Sequence, residues 1–157
     1  MAAFLLGLIS DTHGLLRPEA LAALESSHAI LHAGDVGDAA ILDRLKSIAP
    51  VYAVRGNVDA EPWAQSLALT ETVPLAGASL YLLHNLKDLD LDPKSAGVQI
   101  VVSGHTHQPG SYWQGGILYL NPGSAGPRRF SLPTTVARLN LLDARWRPEF
   151  IHLAAKA

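Results

Sequence analysis

Short apolar runs recur along the chain, and five of them break off at a polar residue of one narrow kind. Phe4 to Ile9 runs into Asp11-Thr12-His13, Ala29 to Leu31 into Gly34-Asp35, and Val51 to Val54 into Gly56-Asn57. Leu80 to Leu83 ends at His84, and Val98 to Val102 ends at Gly104-His105-Thr106-His107. A run of this length closed by Gly and a polar residue predicts a buried strand opening into a loop. Helical patterns lie between the early runs. Pro18 suits a first helical turn, with Leu21 and Leu24 three apart on one face. Asp38 is placed to cap a helix over Ala39 to Ile48, where Ile41, Leu42, Leu45 and Ile48 form one stripe. Asp59 to Leu69 predicts a third, shorter helix. Strands alternating with helices of this length favour βαβ units and a parallel sheet.

The second half is richer in strands. Ile117 to Leu120 precedes Asn121-Pro122-Gly123-Ser124, Thr134 to Leu142 alternates in part, and Glu149 to Leu153 reads as a final strand. Leu86 to Gly97, with Pro93, reads as a loop carrying one helical turn. So many strands exceed one small open sheet, and two packed sheets flanked by helices are expected.

Composition narrows the class. The 157 residues predict one domain over 1–157, long enough to bury a substantial core. A hydrophobic share of 48% with 17% charged residues suits a compact α/β protein. The formal charge of −2 provides no footprint for non-specific nucleic-acid binding. With Cys 0, disulfides, thiolate zinc sites and a Cys nucleophile are all excluded. The first residues have no basic leading segment and no cleavage site before Asp11, so a core strand is expected there rather than a signal peptide. No stretch approaches the roughly 20 apolar residues of a spanning helix. A cytoplasmic location is expected.

In open α/β sheets, ligands bind in the loops beyond the carboxyl ends of the strands. Asp11 and His13 can aim at one point if the backbone turns at Gly14. Gly34-Asp35 and Gly56-Asn57 are, alone, ordinary turn dipeptides, and Asp11 alone reads equally as a helix cap. Two imidazoles two apart, His105 and His107, after a fully apolar strand are awkward to explain as packing, and His is the commonest metal ligand. Together these exits offer two carboxylates, one amide and four imidazoles. His28, His32 and His152 carry core or surface roles by default, with His32 near enough to Asp35 to support it.

Asp11-x-His13, Gly34-Asp35, Gly56-Asn57, His84 and Gly104-His105-Thr106-His107, in that order, resemble the calcineurin-like metallophosphoesterase superfamily. The short chain, Val54-Arg55-Gly56-Asn57-Val58-Asp59 and Asn121-Pro122-Gly123-Ser124 resemble its small YfcE-type phosphodiesterase branch. The resemblance implies a four-layer αββα sandwich with a dimetal site at the strand ends. It implies that Asp11, His13, Asp35 and His107 hold a first ion. Asp35 would bridge to a second, held also by Asn57, His84 and His105. Two divalent transition-metal ions are implied, manganese foremost, with iron, zinc, nickel or cobalt compatible with the same donors. The implied chemistry is in-line attack on phosphorus by a hydroxide shared between ions roughly 4 Å apart. Asp35, Asn57, Arg55 and His105 are the implied catalytic set. Arg55 and the 121–124 turn are placed to hold phosphate, and Arg128 and Arg129 are further possible substrate contacts.

One position departs from the pattern. Many members carry His directly after the motif Asn, where it protonates the leaving group, and the small branch usually has Cys; here Val58 stands. A positioned acid contributes about 10²–10⁴-fold, so activated small phosphodiesters are the expected substrates. Two rivals follow from the same residues. One is a protein-interaction scaffold like the retromer small subunit, which shares the fold with an impaired metal site; here every ligand position is filled. The other is a nuclease, which the charge balance disfavours. No membrane or stable nucleic-acid partner is expected, and homo-oligomers are common in the family.

Overall fold

The computed structural model describes residues 4–128, 131–141 and 146–153. It contains two mixed sheets of five strands each, packed face to face. In the first, β1 (Leu5–Ile9), β2 (Ala29–His32) and β3 (Val51–Ala53) run parallel. β9 (Thr135–Asn140) adds antiparallel to β1, and β10 (Pro148–His152) antiparallel to β9. In the second, β5 (Ala78–Leu83), β6 (Ile100–Val102) and β8 (Ile117–Asn121) are parallel. Antiparallel edges close it: β4 (Thr70–Leu75) beside β5, and β7 (Gly110–Gln114) beside β8. Both edge hairpins turn over two residues, Ala76-Gly77 and Gly115-Gly116, all at positive φ, as hairpin turns of that length require.

The layers follow from which faces are apolar. Leu6, Leu8 and Leu31 of the first sheet meet Leu80, Leu82, Ile100 and Val102 of the second in a core sealed from water. Each such side chain contributes about 1.5–3 kcal/mol on burial. On the outer face of the first sheet lie α1 (Pro18–Leu24) and α2 (Ala39–Lys46). Pro18 opens α1, which buries Ala20 and Leu24 one turn apart. Asp38 caps α2 by accepting from the Ala40 N–H at 2.9 Å, and Ile41, Leu42 and Leu45 face inward. On the second sheet's outer face, Tyr81, Leu83 and Val101 are covered by Leu86, Leu89 and Leu91. That fourth layer is a 3₁₀ turn, Leu86–Asp88, and its loop.

The helix expected over 59–69 is a 3₁₀ segment, Pro62–Ser66. Pro62 forces Glu61 into extended backbone (φ −74°, ψ 159°), and Asp59 spends its carboxylate on other loops. Among the described residues, no helix is long and apolar enough to cross a membrane.

Candidate metal centre

The carboxyl ends of both parallel cores open on the same side, and hydrogen bonds lace their loops together. Asp11 N–H donates to Gly34 O (3.0 Å), His13 N–H to Asp35 O (2.9 Å) and Gly104 N–H to His84 O (2.9 Å). Six described non-glycine residues have positive φ, and five of them are Asp11 (55°), His13 (46°), Asp35 (55°), His105 (72°) and His107 (63°). Such backbone costs on the order of 1–3 kcal/mol per residue and persists only where the surroundings enforce it. Its confinement here, with Ala76 of a hairpin turn as the sole other case, marks these loops as bent to aim side chains inward. Two glycines permit the close approach. A Cβ on Gly56 would collide with the amide and carboxylate of Asp35, and one on Gly104 with Ser10 Oγ and Asp11.

Five ligand atoms converge. His107 Nε2 lies 3.4 Å from Asp11 Oδ1, and His13 Nε2 lies 3.7 Å from both Asp11 Oδ1 and Asp35 Oδ2. His84 Nε2 lies 3.2 Å from Asp35 Oδ2 and 3.9 Å from Asp11 Oδ1. His13 and His107 bring their Nε2 atoms within 3.4 Å of each other. Two ligand groups result, Asp11 with His13 and His107, and Asp11 with Asp35 and His84. Asp11 is the residue common to both, while Asp35 Oδ2 also reaches toward His13.

Each carboxylate has one oxygen tied down and one aimed at the centre. Asp11 Oδ2 accepts from Ser10 Oγ (2.6 Å) and the His105 N–H (3.0 Å), while Oδ1 is buried with no hydrogen-bond partner among the described residues. Asp35 Oδ1 accepts from the Val58 N–H at 3.0 Å. His84 Nδ1 sits 2.7 Å from Ala33 O, a contact that only an N–H can make favourable. Its Nε2, buried and without a hydrogen-bond partner, then turns a lone pair toward two carboxylates. That arrangement is repulsive unless a proton or a cation stands between, so the donor set fits divalent metal ions.

The titration behaviour agrees. Burial alone would raise the Asp11 carboxyl, but His13, the Ser10 hydroxyl and the nearby His84 and His107 outweigh it and hold the group below its usual value. Burial likewise opposes, and His84 and the Val58 N–H overcome, for Asp35, whose pKa is also lowered. For His84 burial favours the neutral ring, yet Asp35, Asp11 and the Ala33 carbonyl lift its pKa above the ordinary value. A proton there occupies the place a metal would take.

The other residues singled out in the sequence lie around this cluster. Asn57 and His105 are exposed at its rim and line a cleft of about 560 Å³ with His84 and Arg55. The His105 ring stands edge-on to that of His84, centroids 5.2 Å apart. Arg55 donates to Gln65 Oε1 at 2.8 Å. Arg128 is exposed, and Arg129 falls outside the described residues. Asn121 donates to Gly104 O (3.0 Å) and Thr106 Oγ1 (3.1 Å), and Ser124 Oγ donates to Asp11 O (3.0 Å). The 121–124 turn therefore braces the loops that carry Asp11 and His105.

Two buried residues do more than the sequence foretold. His32 takes the Gly34 N–H on Nδ1 (3.1 Å) and meets Thr12 Oγ1 with Nε2 (3.0 Å), while Thr12 donates on to Val36 O (2.8 Å). Burial, opposed by Asp11 and Asp59, pushes its pKa down to about 4. Asp59 accepts from Val36, Gly37 and Gly56 N–H at 3.0–3.1 Å. In the sequence Asp59 read as the first residue of the helix expected over 59–69, which hid this role.

Comparison with known proteins accords with this geometry. The profile of the calcineurin-like phosphoesterase superfamily domain matches residues 4–144. A probable metallophosphoesterase of Methanocaldococcus jannaschii is 39% identical over 148 residues, covering 88% of this chain and 77% of that protein. Phosphodiesterase YfcE of Escherichia coli is 30% identical over 115 residues, 65% of this chain and 59% of its own length. Its solved structure superposes with a TM-score of 0.67 at 28% identity, covering 88% and 89% of the two chains. Vps29 of Chaetomium thermophilum superposes with a TM-score of 0.77 at 18% identity, covering 95% and 94%, a likeness of fold.

Proposed function

Because the chain belongs to the calcineurin-like phosphoesterase superfamily, we propose that it is a metal-dependent phosphodiesterase acting on small phosphodiesters. The observation that carries this reading is the convergence of three imidazole Nε2 atoms on two carboxylate oxygens, with Asp11 Oδ1 and His84 Nε2 buried and unpaired. In this reading Asp11, His13, Asp35 and His107 hold one divalent ion. Asp35, Asn57, His84 and His105 hold the second, and manganese suits their oxygen and nitrogen donors. Bound ions would supply the activated water and neutralise charge on the phosphoryl oxygens.

The chain's own groups do the rest. His105 and Asn57, exposed beside the cluster, are placed to meet both metal and substrate. Arg55, half-buried on the same cleft and anchored by Gln65, presents a fixed positive charge to a phosphodiester anion. Val58 uses only its backbone, through the N–H that holds Asp35, and its side chain supplies no proton to a departing alkoxide. Diesters with good leaving groups are therefore favoured.

Manganese should stimulate hydrolysis of bis-p-nitrophenyl phosphate, and Asp35→Ala and His105→Ala should each abolish it. Undiminished turnover in either variant would place the activity elsewhere. The fold it shares with Vps29 raises the reading of an interaction scaffold, but the strained backbone that aims Asp11, His13, Asp35 and His107 supports metal-dependent catalysis over it.

A further inference from the structure

A phosphodiester has two ester arms, and two clefts share the rim of the centre. His105 and Asn85 line both the cleft of about 560 Å³ that holds Arg55 and a larger one of about 780 Å³ on the other side. Their chemistry differs. The smaller carries Arg55, Asn57, Asp88 and Asp90, hydrogen-bonding groups suited to hydroxyls. The larger is walled by Tyr112, Tyr119, Leu86, Leu120 and Pro109, with Lys87 as its charged member.

Within it, the Tyr112 and Tyr119 rings stack with centroids 5.0 Å apart and an interplanar angle of 8°. They sit directly opposite each other in the antiparallel β7–β8 pair, so strand register fixes the stack. Tyr112 is nonetheless 49% exposed. A large aromatic ring held flat by its neighbour, yet half open to solvent beside His105, is a preorganised platform for another planar group.

We infer that this cleft is a subsite for a planar, aromatic ester arm, the base of a nucleoside being the fitting class, and that Tyr112 is a specificity-determining residue. The inference rests on the phosphodiesterase reading and deepens it. The base stacks on the Tyr112–Tyr119 pair, the phosphate reaches the centre past His105, and the second arm falls toward Arg55. Stacking tolerates any base because each has a π face, so the cleft selects planar arms over alkyl arms without selecting one base.

The test compares thymidine 5′-trifluoroethyl phosphate with methyl trifluoroethyl phosphate, which share a leaving group and differ in carrying a nucleoside or a methyl arm. Released trifluoroethanol is followed by fluorine NMR on the manganese-loaded protein. The ratio of kcat/KM should favour the thymidine diester about tenfold, within the range that stacking on an aromatic side chain contributes. It should fall toward one in Tyr112→Ala and persist in Tyr112→Phe, with the change in KM. A ratio near one in the wild type, or one unmoved in Tyr112→Ala, overturns the subsite. If neither diester is cleaved, bis-p-nitrophenyl phosphate decides between the causes: its cleavage means that trifluoroethoxide leaves too slowly, and its survival means that the phosphodiesterase reading fails. The cleft is then decided by titrating thymidine, which carries no phosphate, into the metal-free protein. NMR shifts at Tyr119 that vanish in Tyr112→Ala support it, and their persistence there, or the absence of shifts at both rings in the wild type, overturns it.

Discussion

His32 shows what one buried imidazole does for two loops at once. Its Nδ1 can accept from Gly34 only when that nitrogen carries no proton, so protonation breaks the bond that shapes the Asp35 loop. Its folded pKa of about 4 lies below the ordinary 6.5. Between those values the unfolded chain binds a proton that the folded chain refuses. Stability contributed by neutral His32 is therefore present above pH 6.5 and lost as pH falls toward 4. The linkage amounts to roughly 3 kcal/mol. Asp11 and Asp35, with lowered pKa values, lose their contribution only at still lower pH, and raised His84 loses its own above 6.5. Urea denaturation of the metal-free protein between pH 6.5 and 4.5 should show a steep decline that is flatter in His32→Gln; parallel slopes would exclude His32 as its source. At Val58 the residue-scale expectation concerns catalysis. Its side chain is 51% exposed beside Asn57, so Val58→His places an imidazole there without disturbing the core. Monoester turnover should rise by about 10²-fold, the lower end of what general acid catalysis contributes, and no rise would mean that the leaving group's proton does not limit the rate.

Between elements, Asp59 is the clamp. One carboxylate gathers the N–H groups of Val36 and Gly37, beyond β2, and of Gly56, beyond β3. An amide in its place keeps the shape but turns an NH₂ toward at least one of those donors. Asp59→Asn should cost about 2–3 kcal/mol of stability and weaken metal binding severalfold, read by denaturation and by manganese titration. Unchanged metal affinity would show that the two loops hold their ligands without it. What the sequence made legible follows the same division. The strands buried on both faces, such as Leu80–Leu83 and Ile100–Val102, announce themselves as apolar runs, and so do the polar residues that end them. Edge strand β7 is exposed throughout, and β4 buries only Val73 and exposes Thr70, Thr72 and Pro74, so neither displays an apolar run. The site's braces were hidden for another reason. Asp59 and Asn121 act through backbone N–H and C=O groups distant in sequence, and only the folded register brings those groups within reach.

At the scale of the molecule the centre is a joint between sheets. The first sheet's exits supply Asp11, His13 and Asp35, and the second sheet's supply His84 and His107. The shared core of Leu6, Leu8, Leu80 and Leu82 holds the sheets together from within. At its open end, however, buried carboxylates and an imidazole lone pair face one another across the seam. A cation there turns that repulsion into a cross-link that the unfolded chain does not possess. Binding to the folded state alone stabilises by about 2.7 kcal/mol when free metal is 100 times Kd. For a chain of this length each kcal/mol moves Tm by about 2–4 °C, so manganese at that concentration should raise Tm by about 5–10 °C and chelation should reverse it. Asp35→Ala, which removes the carboxylate proposed to hold both ions, should erase the metal-dependent part of the shift while the chelated proteins are compared as the baseline. A Tm indifferent to manganese in the unaltered protein would mean that the two sheets meet at this end without a metal, and the proposed dimetal centre would fall with it.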